Sequence, residues 1–323
     1  MKKFLGWVFL VLILAAGYFA YALLVPINID DQRFVLLRPG SSARTIARQL
    51  RHEGVIRSWP AFLMLHYFKV RRLQAGEYLF NRPANAIQVY KRIAAGDIYA
   101  RSVIIPEGYN MFEVAAAIEA AGLGGSREFL DVARSQRALV ADLDPQAQSL
   151  EGYLFPDTYN FTRTQSLSDI AALMVKRFRQ EARSLGLTSD VHRTVTLASI
   201  VEKETSVPEE RPLVASVYSN RLERGMGLYA DPTVAYAALL AGRYRGTIFQ
   251  SDLQYKSPYN TYLYRGLPPG PVANPGRASL QAAMQPANTE FLYFVSDNQG
   301  GHRFARTGAE HNHNVALYRK AQR

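Results

Sequence analysis

Residues 197–211 read LASIVEKETSVPEER and close an apolar helical pattern that begins near residue 191. At about 100° per residue, aliphatic side chains fill one broad arc of the helix, and Glu202 and Glu204 fall at the flanks of that arc. Carboxylates are seldom buried without a partner, so two of them beside an apolar arc require an explanation.

Two interpretations fit these glutamates. In the structural one, both lie at a helix end and reach solvent or pair with Arg211 or Arg221. In the chemical one, a carboxyl held against apolar surface has a raised pKa, stays protonated near neutrality and donates a proton to a leaving oxygen, as in glycoside cleavage. Periodicity alone does not choose between them.

The surrounding patterns predict an α+β chain whose second half is mainly helical. Helices are predicted near residues 166–187, 192–205 and 208–225, broken at Gly186 and Pro208, with a strand at 291–297 and a last helix from 309. Before them, strands are predicted at 34–40 and 75–80, and helices at 41–56, with Ser41 or Ser42 as N-cap, and at 87–97, closed by Gly96.

A weak internal repeat links two strand–turn–helix segments that begin at Gly40 and Gly108. Each glycine is followed by an alanine at plus seven, an aliphatic residue at plus ten and a glycine at plus fourteen, namely Ala47 and Ala115, Leu50 and Ile118, and Gly54 and Gly122. The repeat predicts that both segments share the same backbone conformation.

The N-terminus predicts a membrane span. Residues 4–29 carry no charge, and Lys2 and Lys3 precede them, so we expect one crossing with the N-terminus in the cytoplasm and the rest outside it. A cleaved signal peptide ending near Ala22 is the alternative, but the apolar run exceeds the usual 7 to 15 residues of such a peptide. Either interpretation places the folded part outside the cytoplasm.

The amino-acid composition excludes several kinds of chemistry and several classes of ligand. The 323 residues contain no cysteine, which excludes disulfides, cysteine-ligated zinc and cysteine nucleophiles. The 38 Lys+Arg against 27 Asp+Glu give a net charge of +11, which for an exported protein favours anionic lipid or the acidic wall polymer over nucleic acid. His302, His311 and His313 fit no helical zinc motif, so neither a metal nor a cofactor is predicted.

Several further motifs accompany ASIVEKET in a fixed order: PEG at 106–108, DPTV at 231–234, SPYNTY at 257–262, GLPPGP at 266–271, NPG at 274–276, GHRF at 301–304 and EHN at 310–312. With this order and spacing, the sequence resembles the endolytic murein transglycosylase family, also called YceG-like, from about Phe34 to the C-terminus.

The resemblance implies a transmembrane anchor at 1–29, a small LysM-like α+β module at 30–100 and a mainly helical catalytic domain with a small β element at 101–323. It implies a lytic transglycosylase in the inner membrane whose periplasmic domain cuts MurNAc–GlcNAc bonds of nascent peptidoglycan strands and leaves 1,6-anhydroMurNAc ends. Peptidoglycan synthases are candidate partners.

The same resemblance assigns Glu204 as the catalytic acid and then base. Glu202 is expected to bind substrate or to orient Glu204. Tyr259, Asn260 and Tyr262 are expected to bind sugar, with loop structure as the alternative for these three.

Two residues around these motifs carry separate expectations. Asp231 is expected to be a helix N-cap. Tyr229 stands where the family usually has glutamine, so a contact made by that amide is not expected here.

Two other functions remain open. A hydrolytic muramidase would need a second carboxylate, for which Glu202, Asp231 and Asp252 are candidates. A non-catalytic, LysM-like wall-binding scaffold would need none.

Overall fold

The structure, a computed structural model, describes residues 2–29 and 31–322. Met1, Asp30 and Arg323, at the ends of the predicted segments, lie outside the described residues. The helices are α1 Lys2–Leu24, α2 Ala43–His52, α3 Trp59–Lys69, α4 Ala86–Ala95, α5 Met111–Ala120, α6 Ser126–Ser135, α7 Leu167–Leu185, α8 Val191–Glu204, α9 Arg211–Glu223, α10 Asp231–Leu240, α11 Gln250–Leu253, α12 Arg277–Met284 and α13 Gly308–Ala321. Short 3-10 turns occupy Arg137–Leu139 and Pro208–Glu210.

The strands form three two-stranded sheets, β1 with β2, β3 with β4, and β5 with β6. Their bounds are β1 Arg33–Leu37, β2 Gly76–Phe80, β3 Arg101–Ile105, β4 Asp157–Phe161, β5 Tyr293–Ser296 and β6 His302–Ala305. The predicted α+β class is confirmed.

The described chain falls into two compact units, Met1–Ser102 with Asn160–Ser166, and Val103–Tyr159 with Leu167–Arg323. In the first unit the chain order is β1, α2, α3, β2, and the strands pair antiparallel with Val35 opposite Tyr78. Its core buries Leu50, Phe62 and Val89 completely. Each such side chain contributes about 1.5–3 kcal/mol of burial free energy.

The membrane-span prediction falls on α1. Within residues 2–29 and 31–322, one helical segment, Lys3–Leu24, is long and apolar enough to cross a bilayer. The carbonyls of Val25 and Pro26, directly after α1, accept hydrogen bonds from Arg57. The guanidinium of Arg57 also lies over the ring of Tyr21. These bonds fix the start of the first unit against the end of α1.

The internal repeat is confirmed. Gly40 and Gly108 both have φ +79°, a left-handed backbone that a side chain would strain. The glycines fourteen residues on, Gly54 and Gly122, have φ +66° and +67°. The alanine and aliphatic positions between them are completely buried in both copies.

In the second unit, α8 is the central helix, with α9, α10 and α12 packed against it. Its residues from Val195 to Val201 are all buried. Thr205 adopts an extended backbone and ends α8, and Pro208 cannot continue the helix. The helix therefore presents its last residue, Glu204, at the edge of the core.

Candidate active site

Glu204 is the last residue of α8, and its side chain is half-buried. The hydroxyl of Tyr218, on α9, donates a hydrogen bond of 2.7 Å to Glu204 Oε1. Tyr218 itself is buried and packs edge-on against Phe294 of β5, with ring centroids 5.9 Å apart. A rigid aromatic residue thus fixes the orientation of the Glu204 carboxyl.

Glu204 lies in a pocket of about 350 Å³ that we call the Glu204 pocket. Its lining residues come from α8, α9, α10, β5 and α13 and from the loops between them: Glu204, Tyr218, Arg221, Leu228, Tyr229, Asp231, Tyr262, Tyr293, Phe294 and His311. Aromatic rings form most of the wall, and the charged side chains of Glu204, Arg221 and Asp231 line the same pocket.

The pKa of Glu204 is raised to about 7, chiefly because burial disfavours the charged form. The Tyr218 hydrogen bond lowers this pKa, the negative charge of Asp231 raises it, and the charges of His302 and Arg221 lower it. A carboxyl with a pKa of about 7 is protonated in a large fraction of molecules near neutrality and can still lose its proton. This property suits a group that acts first as acid and then as base.

Replacement of Tyr218 by phenylalanine tests this balance. The hydrogen bond favours the carboxylate, so its loss raises the pKa of Glu204, and we expect the alkaline limb of the pH–activity profile to move up by about one pH unit. Phenylalanine keeps the ring packing. A pH series of initial rates measures the shift. If the alkaline limb does not move, Tyr218 does not influence the pKa of Glu204.

The N-cap expectation for Asp231 is wrong. Ala230 is the N-cap of α10, Asp231 is the first helical residue, and its side chain makes no capping bond. The carboxylate is exposed to the Glu204 pocket, where it accepts a 2.6 Å hydrogen bond from the hydroxyl of Tyr262. The proline that follows, Pro232, occupies the first turn of α10, where its missing N–H costs no intrahelical hydrogen bond.

Tyr262 and Tyr229 form one side of the pocket mouth. Their ring centroids are 5.5 Å apart, and the ring planes are inclined by 65° in an edge-to-face arrangement. Tyr229 is about half exposed and has φ +50°, a left-handed backbone that is unusual for an aromatic residue. The structure thus places Tyr262, a predicted sugar-binding residue, beside Glu204.

Glu202 points away from the pocket, because residues two apart on a helix project about 200° from one another. Its carboxylate is 5 % exposed, lies 3.2 Å from the guanidinium of Arg211 and accepts the Gly276 N–H at 2.9 Å. Glu107 lies 3.7 Å from the same guanidinium. This cluster brings together the PEG and NPG motifs and holds α8 in place, which matches the pairing expected under the structural interpretation of Glu202.

Asn260 is completely buried. Its amide nitrogen donates to the carbonyls of Asp252, Leu253 and Tyr255, and its amide oxygen accepts the Tyr262 N–H. These contacts agree with loop structure, the alternative for this residue, and leave none of the side chain exposed for a sugar.

Tyr259 is placed apart from the Glu204 pocket. Its ring lies 5.1 Å from that of Tyr236, and burial, followed by the charge of Glu151, raises its pKa to about 12. Tyr259 thus belongs to a buried tyrosine cluster around Glu151.

The histidines of the last two motifs have separate surroundings. His302 donates its backbone N–H and presents Nδ1 to the carboxylate of Glu210, at 2.7 and 2.6 Å, and Glu210 also accepts from the hydroxyl of Thr205. His311 lines the Glu204 pocket and stacks on Tyr293 at 5.1 Å, and burial lowers its pKa, so its imidazole is neutral near pH 7.

Sequence reasoning missed most of the pocket wall. The sequence marks Arg221 only as a salt-bridge candidate. In the structure it is buried, donates hydrogen bonds to the carbonyls of Leu292 and Leu228, and places a positive charge near Glu204. Tyr218 reads in sequence as a core residue of an apolar helix face. A buried aromatic residue with a polar tip is the signal that could have marked it.

Comparisons with known proteins agree with the motifs. The YceG-like family matches residues 35–317. The chain is 32 % identical over 337 residues to the endolytic murein transglycosylase of Bacillus subtilis strain 168, covering 93 % of this chain and 89 % of that relative. It is 29 % identical over 351 residues to the endolytic murein transglycosylase of Streptococcus pneumoniae strain D39, covering 96 % of this chain but only 63 % of that longer relative.

A solved structure shares the fold. The crystal structure of a yceG-like protein from Listeria monocytogenes superposes with a TM-score of 0.58 at 32 % identity and covers 88 % of this chain and 99 % of that chain. The family match spans most of the chain, and two relatives cover nine-tenths or more of it. The chain belongs to the YceG-like family.

Proposed function

We propose that this protein is an endolytic lytic transglycosylase that cuts MurNAc–GlcNAc bonds in nascent peptidoglycan strands. The observation that carries the proposal is Glu204, a half-buried carboxyl with a pKa of about 7 in an aromatic pocket. The relatives named endolytic murein transglycosylase supply the substrate class.

In the proposed reaction, Glu204 protonates the glycosidic oxygen, and the bond from that oxygen to C1 of the MurNAc breaks. The resulting Glu204 carboxylate then takes the proton from the C6 hydroxyl of the same sugar, and the C6 oxygen bonds to C1. The products are a 1,6-anhydroMurNAc end and a free hydroxyl on the leaving GlcNAc. Glu204 is protonated again at the end, so neither water nor a cofactor is consumed.

The neighbours of Glu204 favour this double role. Tyr218 stabilises the carboxylate that forms after the first proton transfer. Asp231 places a negative charge in the same pocket, where it favours both the protonated acid and the positive charge that develops on the sugar ring. The rings of Tyr262 and Tyr229 offer faces for a pyranose ring at the mouth of the pocket.

Replacement of Asp231 by asparagine distinguishes lyase from hydrolase. As a lyase with Asp231 in an electrostatic role, the variant keeps forming anhydro ends, and the lost charge lowers the pKa of Glu204, so the alkaline limb moves to lower pH. As a muramidase with Asp231 as its second carboxylate, the enzyme would leave reducing ends, and the variant would lose roughly 10²- to 10⁴-fold in rate. Product masses and a pH series separate the two.

The first unit is proposed to contain the LysM-like module, residues 30–100, ahead of a catalytic domain at 101–323. The β1, α2, α3, β2 order supports this assignment. Between the loops that follow β1 and α3 lies a groove of about 990 Å³ with Arg38, His66, Arg71 and Arg72 in its lining, a basic surface suited to the acidic wall polymer.

Location follows from α1 in this proposal. As a single-pass anchor at 1–29 in the inner membrane, α1 keeps the enzyme beside newly made strands, with the catalytic domain in the periplasm. Nearness to synthesis would bring it into contact with peptidoglycan synthases. A non-catalytic wall-binding scaffold would share this location, so only chemistry distinguishes the two functions.

Mass spectrometry of muropeptides released from purified peptidoglycan by the full-length protein in detergent tests the function. Release of fragments several disaccharides long that carry anhydro ends supports an endolytic lyase. Reducing ends would show a hydrolase, and no release from folded protein would favour the scaffold.

A further inference from the structure

A second pocket lies next to the Glu204 pocket, and none of its residues takes part in the proposed proton transfers. It encloses about 270 Å³, and we call it the Lys203 pocket. Its lining residues come from α5, α8, α10 and nearby loops and include Phe112, Glu113, Lys203, Pro232, Tyr236 and Tyr244.

Two pairs of adjacent residues join the pockets. On α8, Lys203 lines one pocket and Glu204 the other, and on α10, Pro232 lines one and Asp231 the other. The last turn of α8 and the first turn of α10 therefore form a ridge with a pocket on each side. A ligand in the Lys203 pocket therefore lies on the other side of this ridge from Glu204.

The walls of the Lys203 pocket are mostly apolar, including the rings of Phe112, Tyr236 and Tyr244. Such walls can take the apolar face of a sugar as well as aliphatic side chains, so the charged groups of the pocket decide between these ligands. The Glu204 pocket, by contrast, presents carboxylates, a guanidinium and tyrosines.

The charges of the pocket favour a peptide with free ionic groups. The Lys203 ammonium donates to the carbonyl of Gly108 at 3.2 Å, and an ammonium has three donors, so it can also bind a carboxylate. Glu113 contributes the opposite charge at the start of α5, where one of its oxygens accepts the Asn110 N–H.

We propose that the Lys203 pocket binds the stem peptide carried by a MurNAc close to the cleaved bond, with a free carboxylate of the peptide on the Lys203 ammonium. This inference rests on the proposed function. The enzyme would then prefer strands with stems over stem-free strands, since only the former fill both pockets.

The test compares two substrates, intact uncrosslinked strands and the same strands after an amidase has removed the stems. We expect Lys203→Met to lower kcat/KM on stem-bearing strands by roughly tenfold, the loss of one charged hydrogen bond, and to leave stem-free strands within about twofold of wild type. Lys176→Met, which removes an exposed lysine on α7, is the matched control and should change neither.

Ala235→Phe provides a second, independent variant. It fills the Lys203 pocket from α10 without altering charge and should produce the same selective loss. Equal losses on both substrates, or no loss on stem-bearing strands, would overturn the stem-peptide site while leaving the lyase intact. Failure of the wild-type protein to cut either substrate would instead overturn the proposed function.

Discussion

Glu204→Gln is expected to reduce glycan cleavage by on the order of a thousandfold while the protein remains folded. Glutamine keeps the size of the side chain and can accept the Tyr218 hydrogen bond, but it can neither give nor take a proton. The variant has lost both proton transfers, so anhydro products should fall below detection in the muropeptide assay.

The free energy of unfolding of Glu204→Gln shows whether its loss of activity comes from lost chemistry or from misfolding. Burial disfavours the charged Glu204, so a neutral amide should leave the free energy of unfolding unchanged or slightly raised above pH 7. Glu209→Gln, an exposed neighbour in the turn after α8, is the matched control and should retain full activity. Wild-type rates in Glu204→Gln would remove Glu204 from the reaction.

Unlike Glu204→Gln, Glu202→Leu is expected to destabilise the protein, with a loss of about 3 kcal/mol in the free energy of unfolding. The Arg211 side chain is 11 % exposed, and without Glu202 its charge and the Gly276 N–H lose their closest acceptor. Glu107 remains 3.7 Å from the guanidinium, which places the expected loss at the lower end of the range for broken buried pairs.

Urea unfolding followed by circular dichroism measures this loss. Tryptophan fluorescence is unsuitable, because Trp7 and Trp59 both lie in the first unit, whereas Glu202 lies in the second. Glu209→Leu, the same change at an exposed site, should cost less than about 0.5 kcal/mol. A Glu202 variant as stable as this control would show that the buried cluster does not hold α8.

The sequence predicted those elements whose boundaries are set by local chemistry. The Ser42 side chain caps α2, and Gly96, with φ +72°, ends α4. Helix α3 is not predicted from the sequence, because WPAFLMLHYFK is apolar on nearly every face and shows no helical period. Helices α6 and α12 span 10 and 8 residues, and helices this short depend on packing against the rest of the fold.

The site was predictable only in part. Periodicity placed Glu202 and Glu204 beside an apolar arc, but it could not show that one meets Arg211 and the other Tyr218. Those partners lie on α9, and tertiary packing alone brings them near. Asp231 looked like a cap because Asp before Pro usually starts a helix, whereas here Ala230 takes that position and frees the carboxylate.

The left-handed backbone of Tyr229 bears on how the protein can be made more heat-resistant. A non-glycine residue in that conformation costs of order 1 kcal/mol and persists where the surrounding structure imposes it. Engineers seeking thermal tolerance would choose glycine or asparagine there, yet either would remove the ring that faces Tyr262. At the pocket mouth, substitutions that raise thermal stability are thus expected to lower the catalytic rate.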